Sequence, residues 1–497
     1  VERWLPKIYL VFGVVLTALL CFVTAPFAGP DEPNQSCRAI SLSRGIWLAK
    51  MGHEEAGAQI DAGALEAMDG MNDIRMEWES HSKDFHDRRY GSVDVAGQQK
   101  LASVRWAGRT VFVPFGNTAV YPPGLYGPAM LGWRVGEAAG WTIFASLRLA
   151  RLLCALTAVG LGWLALRLCA CSRWMLLPFL LLPSTLFLNA TCSQDAVLLG
   201  VAALVAAILS RPLVAGRQFS GWELAVMTLL LTLCGSARPP YAAMAVVLFL
   251  PGVEVRERDW RRWMGPVAGF VAVAMICTAW RHMVSRFGFD GSDQAHPELQ
   301  ALFLWTHPFA AGAALLRGTV EAGWDFFERG TYVVGWNDLL PHHGAAAVLG
   351  ACMAAMVLFG PACPVRTWKG WALLGVGVAA PLLGISLAEY VIWTPPGFYT
   401  VYGVQPRYWL PLLPLAMMLV QGRVNWRCDP TGRFTAIPRS RSLRDDNKRT
   451  EAPGRFSHFA LVGAGVVMFA MAATLPWMAA EAFYRSGVVA DLRINLR

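Results

Sequence analysis

Residues 8–33 read IYLVFGVVLTALLCFVTAPFAGPDEP: an uncharged apolar run through Ala28, then Gly29, two prolines and two adjacent carboxylates. A bilayer core about 30 Å thick takes ~20 apolar residues of helix. Residues 8–28 are therefore predicted to cross a membrane, with Pro30-Asp31-Glu32-Pro33 at the outer boundary. The run is too long for the ~7–15-residue apolar region of a signal peptide. It also lacks a small-x-small cleavage site after Phe27, so it is expected to remain as a helix.

Working outward, the same pattern recurs at 147–168, 174–190, 195–210, 222–236, 240–252, 263–283, 342–361, 370–392, 408–421 and 458–478. The expectation is an all-α polytopic transmembrane bundle of about 11 spans, in which 240–252 and 408–421 are short. Composition agrees. Of 497 residues 55% are hydrophobic and only 15% charged, against roughly a quarter charged in globular domains, and the mean hydropathy is +0.41. A soluble enzyme, a disordered chain and a collagen-like fibre are excluded. The 11 cysteines show no CxxC and no zinc or redox spacing; Cys169 and Cys171 are separated by one residue.

Short loops rich in Lys and Arg stay in the cytoplasm. With Arg3 and Lys7 inside, the inner loops carry Arg167 and Arg173, Arg211 and Arg217, then Arg256, Arg258, Arg261 and Arg262, and then Arg366 and Lys369. Segment 423–455, with nine basic and four acidic residues, reads as a flexible inner loop attracted to anionic lipid. The outer segments are acidic: 29–140 holds eleven basic and fourteen acidic residues, and 284–341 three and seven. The chain divides into a first membrane helix (1–28), a large outer segment with surface helices (29–146), a bundle (147–283), a second outer segment (284–341), a further bundle (342–478) with a basic inner loop (422–457), and an outer tail (479–497). Helical spacing in 36–52 and the apolar stretch 122–139 predict helices lying on the outer membrane surface.

Chemistry is sought at the outer rim. Asp31 and Glu32, held between prolines, suit a partly desolvated base or oxygen ligands for a divalent cation such as Mg or Mn; the plain alternative is a helix stop. Arg407, in Gln405-Pro406-Arg407-Tyr408, and Arg238, before Pro239-Pro240, have the planar fork that grips phosphate, or else snorkel to lipid headgroups. Asp195, after Ser193-Gln194, suits a sugar hydroxyl or caps the following helix. Glu389, inside the outer end of a span, reads as a site residue or a paired charge. No P-loop and no Asp-x-Asp is present, so neither a nucleotide nor a nucleic acid is an expected partner.

Five motifs in register carry a resemblance: Pro30-Asp31-Glu32-Pro33, Tyr121-Pro122-Pro123-Gly124-Leu125-Tyr126, Arg148-Leu149-Ala150-Arg151-Leu152, Ser193-Gln194-Asp195, and Gly403-Val404-Gln405-Pro406-Arg407-Tyr408 leading into Leu410-Pro411-Leu412-Leu413-Pro414. Together they resemble the bacterial domain-of-unknown-function 2142 family, which is similar in layout to the GT-C superfamily of glycosyltransferases. The resemblance implies a GT-C-like bundle in the bacterial inner membrane and transfer of a sugar from a polyprenyl-phosphate donor to a periplasmic glycan or lipid acceptor. It implies Asp31 as base, Glu32 as helper or fellow metal ligand, and Arg407 with Arg238 on the departing phosphate. Asp195, Tyr121, Tyr126, Gln405, Tyr408 and Glu389 would then contact substrate. A lipid-linked glycan polymerase or ligase, and a transporter or flippase, are the competing readings; against the last, no internal repeat is visible and the charges cluster at one face.

Overall fold

The computed structural model describes residues 2–52, 55–81, 95–287, 291, 294–327, 335, 343–360, 365–420, 424–428, 434–438 and 455–484. Among these, six helices are long and apolar enough to cross a membrane: Glu2–Val23, Ile143–Leu168, Gln194–Ala215, Trp260–Phe287, Trp368–Ile392 and Phe459–Ala480. The architecture is the expected all-α bundle, and proline accounts for where single spans give way to broken ones. The run 174–190 splits into Arg173–Leu181 and Pro183–Asn189. Segment 240–252 starts as a 3-10 helix, Pro239–Phe249, and 408–421 passes through two 3-10 turns before the Leu413–Val420 helix. A proline ring clashes with the preceding helical turn and removes a donor, which interrupts each of these runs. Gly221–Ala237, Pro239–Glu254 and Gly344–Met356 are shorter apolar helices, and Pro297–Thr306 with Pro308–Asp325 forms a pair bent by 114°.

Gln194–Ala215 is the axis of the bundle, buried along almost its whole length. Glycines set how closely its neighbours approach. A Cβ on Gly132 would run into the Ala150 backbone and one on Gly136 into Ser146. These two glycines, four residues apart on one face, let Gly127–Ala138 lie directly on Ile143–Leu168.

The large polar segment 29–146 is not purely helical. Helix Glu32–Ser43 stops well short of residue 52, and Lys50–Met51, Ala56–Asp61 and Thr110–Pro114 form an antiparallel sheet with Ala56–Asp61 in the centre. Asp61 pins its end by accepting from the backbone amides of Gly63 (2.9 Å), Ala107 (2.9 Å) and Gly108 (3.0 Å). Ile40, Ile60, Phe115, Tyr126, Trp133 and Ile143 belong to a hydrophobic core under this segment. The apolar stretch 122–139 forms a turn at Pro123–Leu125 and the helix Gly127–Ala138. In the basic segment, Val424–Cys428 and Phe434–Pro438 pair as an antiparallel hairpin; the rest of 422–454, and the tail from 485, lie outside the described residues.

Candidate functional site: four alternating charges where helix ends meet

The turn after the first helix sends two neighbouring carboxylates in different directions. Asp31 has φ +53° and caps the Glu32–Ser43 helix; a left-handed residue is tolerated by Asp better than by most. Its carbonyl accepts from the Gln35 amide at 2.9 Å, the first turn of that helix. Glu32, one residue on, is fully buried.

Glu32 faces Arg151. Its Oε1 accepts from Arg151 Nε (2.8 Å) and the Cys192 amide (2.8 Å), and its Oε2 from Arg151 Nη2 (2.6 Å) and the Gly29 amide (3.0 Å). Arg151 also donates to the carbonyls of Thr24 (2.8 Å) and Ala25 (2.9 Å). Every direction on this carboxylate is occupied, so the pair staples the first helix, the Pro30 turn, the Ile143–Leu168 helix and the 191–193 turn together. Asp31 and Glu32 thus do not form the two-carboxylate cation site that their adjacency suggested. No group of three or more His, Cys, Asp or Glu side chains among the described residues is placed to hold a metal ion.

Asp31 faces Arg407. The Arg407 Nη2 pairs with Asp31 Oδ2, while Nη1 donates to the Pro30 carbonyl (3.1 Å) and lies 3.5 Å from Asp195 Oδ2. Asp195 in turn receives both arms of Arg238, at 2.9 and 3.3 Å. The result is an alternating chain, Asp31–Arg407–Asp195–Arg238. The side chains of Arg407, Asp195 and Arg238 are 4–10% exposed, whereas that of Asp31 keeps 20%. Local structure explains the convergence. Asp195 sits in the first turn of Gln194–Ala215, where the helix dipole favours an anion, and Arg238 follows the last turn of Gly221–Ala237, where it favours a cation. Arg407 is delivered by the proline-started turn Pro406–Tyr408.

Tyrosines line the chain of charges. The Arg238 and Arg407 guanidiniums lie 4.4 and 5.3 Å from the centre of the Tyr408 ring, within cation–π range. Tyr241 Oη donates to the Tyr408 carbonyl at 2.6 Å. Burial pushes the Tyr121 hydroxyl up, so it stays protonated; Arg238, Asp195, Arg407 and Asp31 are all near enough to bear on it. Arg38 holds the Tyr121 carbonyl through Nε (3.0 Å) and Nη2 (2.7 Å) and reaches Trp47 O at 2.9 Å. Burial pushes Arg38 down to about 10, so it remains charged at neutral pH.

Several buried polar atoms here have no protein partner: Glu389 Oε2, Gln405 Oε1, both amide atoms of Gln194, and Arg407 Nε. Glu389 is near enough to Arg238, Arg407 and Asp31 for its charge to be coupled to theirs. Buried polar groups are nearly always hydrogen-bonded, and two of these atoms belong to Arg407, in the chain of charges, and to Glu389 beside it.

Of the residues singled out from sequence, Asp31, Asp195, Arg238, Arg407, Tyr408, Tyr121 and Glu389 come together, and Gln405 precedes the turn that carries Arg407. Glu32 turns to Arg151, and Tyr126 hydrogen-bonds Gln35. Arg151, Arg38 and Tyr241 were not singled out as site or partner residues. The signal for Arg151 was present, since an arginine inside an apolar span demands a partner.

No curated protein and no solved structure matches the chain. Its residues 14–416 match the family described as predicted membrane protein, DUF2142, a range that includes both Asp31 and Arg407. The chain belongs to the DUF2142 family of membrane proteins.

Proposed function

We propose that this protein is an integral membrane glycosyltransferase that moves a sugar from a polyprenyl-phosphate carrier to a glycan or lipid acceptor at the periplasmic face of the bacterial inner membrane. The observation that carries the reading is the Asp31–Arg407 pair at the exposed end of an otherwise buried chain of charges. A donor phosphate offers Arg407 two oxygens in place of one carboxylate oxygen, a geometry the guanidinium fork matches bidentately. Capture of the phosphate releases Asp31.

The freed carboxylate takes the proton of an acceptor hydroxyl as that oxygen bonds to the sugar C1. The C1–O bond to phosphate breaks, and its electron pair leaves with the polyprenyl phosphate. Arg407, backed by Arg238, stabilises the charge that develops there. Asp195 keeps the two arginines apart and oriented. Tyr121, Gln405 and Glu389 supply hydrogen bonds to a polyhydroxyl sugar, and the Tyr408 ring holds the two guanidiniums in place. Until donor binds, Asp31 is held by Arg407, which limits wasteful transfer to water.

The test is incubation of purified protein with labelled polyprenyl-phosphate sugars and cell-envelope acceptors. Transfer is expected for wild type and is expected to fall by at least ~100-fold in Asp31→Asn, the low end for a general base. Full activity in Asp31→Asn, or no turnover with any lipid-linked donor, overturns the proposal.

A further inference from the structure

At the opposite end of the Ile143–Leu168 helix from Thr142, the chain turns through Cys169-Ala170-Cys171-Ser172 into the Arg173–Leu181 helix. Two sulfur atoms flank that of Cys171 there. Cys169 Sγ lies 3.4 Å from Cys171 Sγ, and Cys171 Sγ lies 3.9 Å from the thioether of Met175.

The turn is anchored on every side. The Cys169 amide donates to Ala165 O (2.9 Å), and the Ala170 amide donates to Ser210 Oγ (2.9 Å) on the axial helix. Glu2 Oε1 accepts from the Arg173 amide (2.8 Å) and lies 3.3 Å from Ser172 Oγ. Met175 and Cys169 are buried, and Cys171 is half-buried, so the group has one side open.

We propose that Cys169, Cys171 and Met175 form a binding site for one soft monovalent cation of the copper(I) class. Thiolate and thioether donors select such ions, whereas a structural zinc site takes four thiolate, imidazole or carboxylate ligands. Three sulfurs bonded to one ion at ~2.3 Å and trigonal angles stand about 4 Å apart, so the two separations at Cys171, 3.4 and 3.9 Å, need only a small opening. Binding releases the two thiol protons. Two thiolates on a monovalent ion leave one negative charge, and Arg173 stands in the same turn to offset it. The surrounding Arg167, Arg173, Arg211 and Arg217 mark this end as cytoplasmic by the positive-inside rule, the compartment in which thiols stay reduced.

The test is an anaerobic titration of the reduced, detergent-solubilised full chain with copper(I), in competition with a chromogenic copper(I) chelator. Wild type is expected to take one equivalent more than Cys169→Ser/Cys171→Ser, and excess zinc(II) is expected not to displace it. Met175→Leu should keep the stoichiometry and bind at least ~10-fold more weakly, a loss of the size even outer-shell partners of a metal site produce. Copper is also expected to raise the thermal midpoint of wild type and not of Cys171→Ser, which alters only the half-buried position and controls for folding. No uptake by wild type, or equal uptake by the double variant, overturns the site. Isolation of the pair as a Cys169–Cys171 disulfide that takes no copper once reduced also overturns it.

Discussion

Arg151 grips both oxygens of Glu32, at 2.8 and 2.6 Å, with neither side chain more than 1% exposed. Breaking a buried ion pair from one side leaves an uncompensated charge, which typically destabilises by ~3–5 kcal/mol, whereas replacing both partners with apolar residues of similar size is often neutral. Glu32→Gln is therefore expected to lower the thermal midpoint sharply in detergent. Glu32→Leu/Arg151→Met should recover most of the loss, although the Cys192 and Gly29 amides then lose their acceptor. Thermal melts of the three variants check this. A Glu32→Gln protein as stable as wild type contradicts the staple.

This pair shows where the sequence is silent. Its residues are 119 apart, and nothing local says that Asp31 and Glu32 part company. That separation depends on Asp31 adopting φ +53°, a choice settled by tertiary contacts. The long apolar helices were legible because their signal is additive over some twenty residues. The breaks at Pro183, Pro239 and Pro406 were signalled by their prolines, but hydropathy alone hides whether such a break ends a span. The central strand, AGAQID at 56–61, has too little apolar alternation to read as a strand. Its place is set by pairing with Thr110–Pro114 some fifty residues later. The charge cluster was half legible: its members are polar residues at the ends of apolar runs, and only the fold pairs Asp31 with Arg407 and Asp195 with Arg238.

The Asp31–Arg407 contact should behave as a unit. Arg407→Lys keeps a positive charge but loses the fork that spans Asp31, the Pro30 carbonyl and Asp195. A thermal double-mutant cycle over Asp31→Asn and Arg407→Lys is expected to give a coupling of about 0.5–3 kcal/mol, as for residues in direct contact. Additive effects would mean that the two side chains do not meet in solution.

Two glycines, one beside Glu389 and one in its helix, should respond in opposite ways. Gly403 has φ +87°, and a Cβ there would lie 2.7 Å from Glu389 Oε2 and 2.9 Å from Trp393. Gly403→Ala is expected to destabilise by more than ~1 kcal/mol and to reduce any donor binding further, by displacing Glu389. A Cβ on Gly375, in the same helix as Glu389, would meet nothing within 4 Å. Gly375→Ala should stabilise by roughly 0.5–1 kcal/mol. Paired melting curves decide, and a stabilising Gly403→Ala would contradict the close approach.

Tyr408 offers the last test, because its ring faces two guanidiniums and its hydroxyl is not what they touch. Tyr408→Phe keeps the quadrupole and should leave Arg238 and Arg407 in place. Tyr408→Leu removes it, at an expected loss of ~0.5–2 kcal/mol per desolvated cation–π contact. The Tyr241 bond to the Tyr408 carbonyl survives in both variants, so the comparison isolates the ring. If the proposed phosphate role holds, Tyr408→Leu also weakens donor binding, measured with a labelled lipid donor, while Tyr408→Phe does not. Equal losses in the two variants would place the effect on the hydroxyl and against the stacked arrangement.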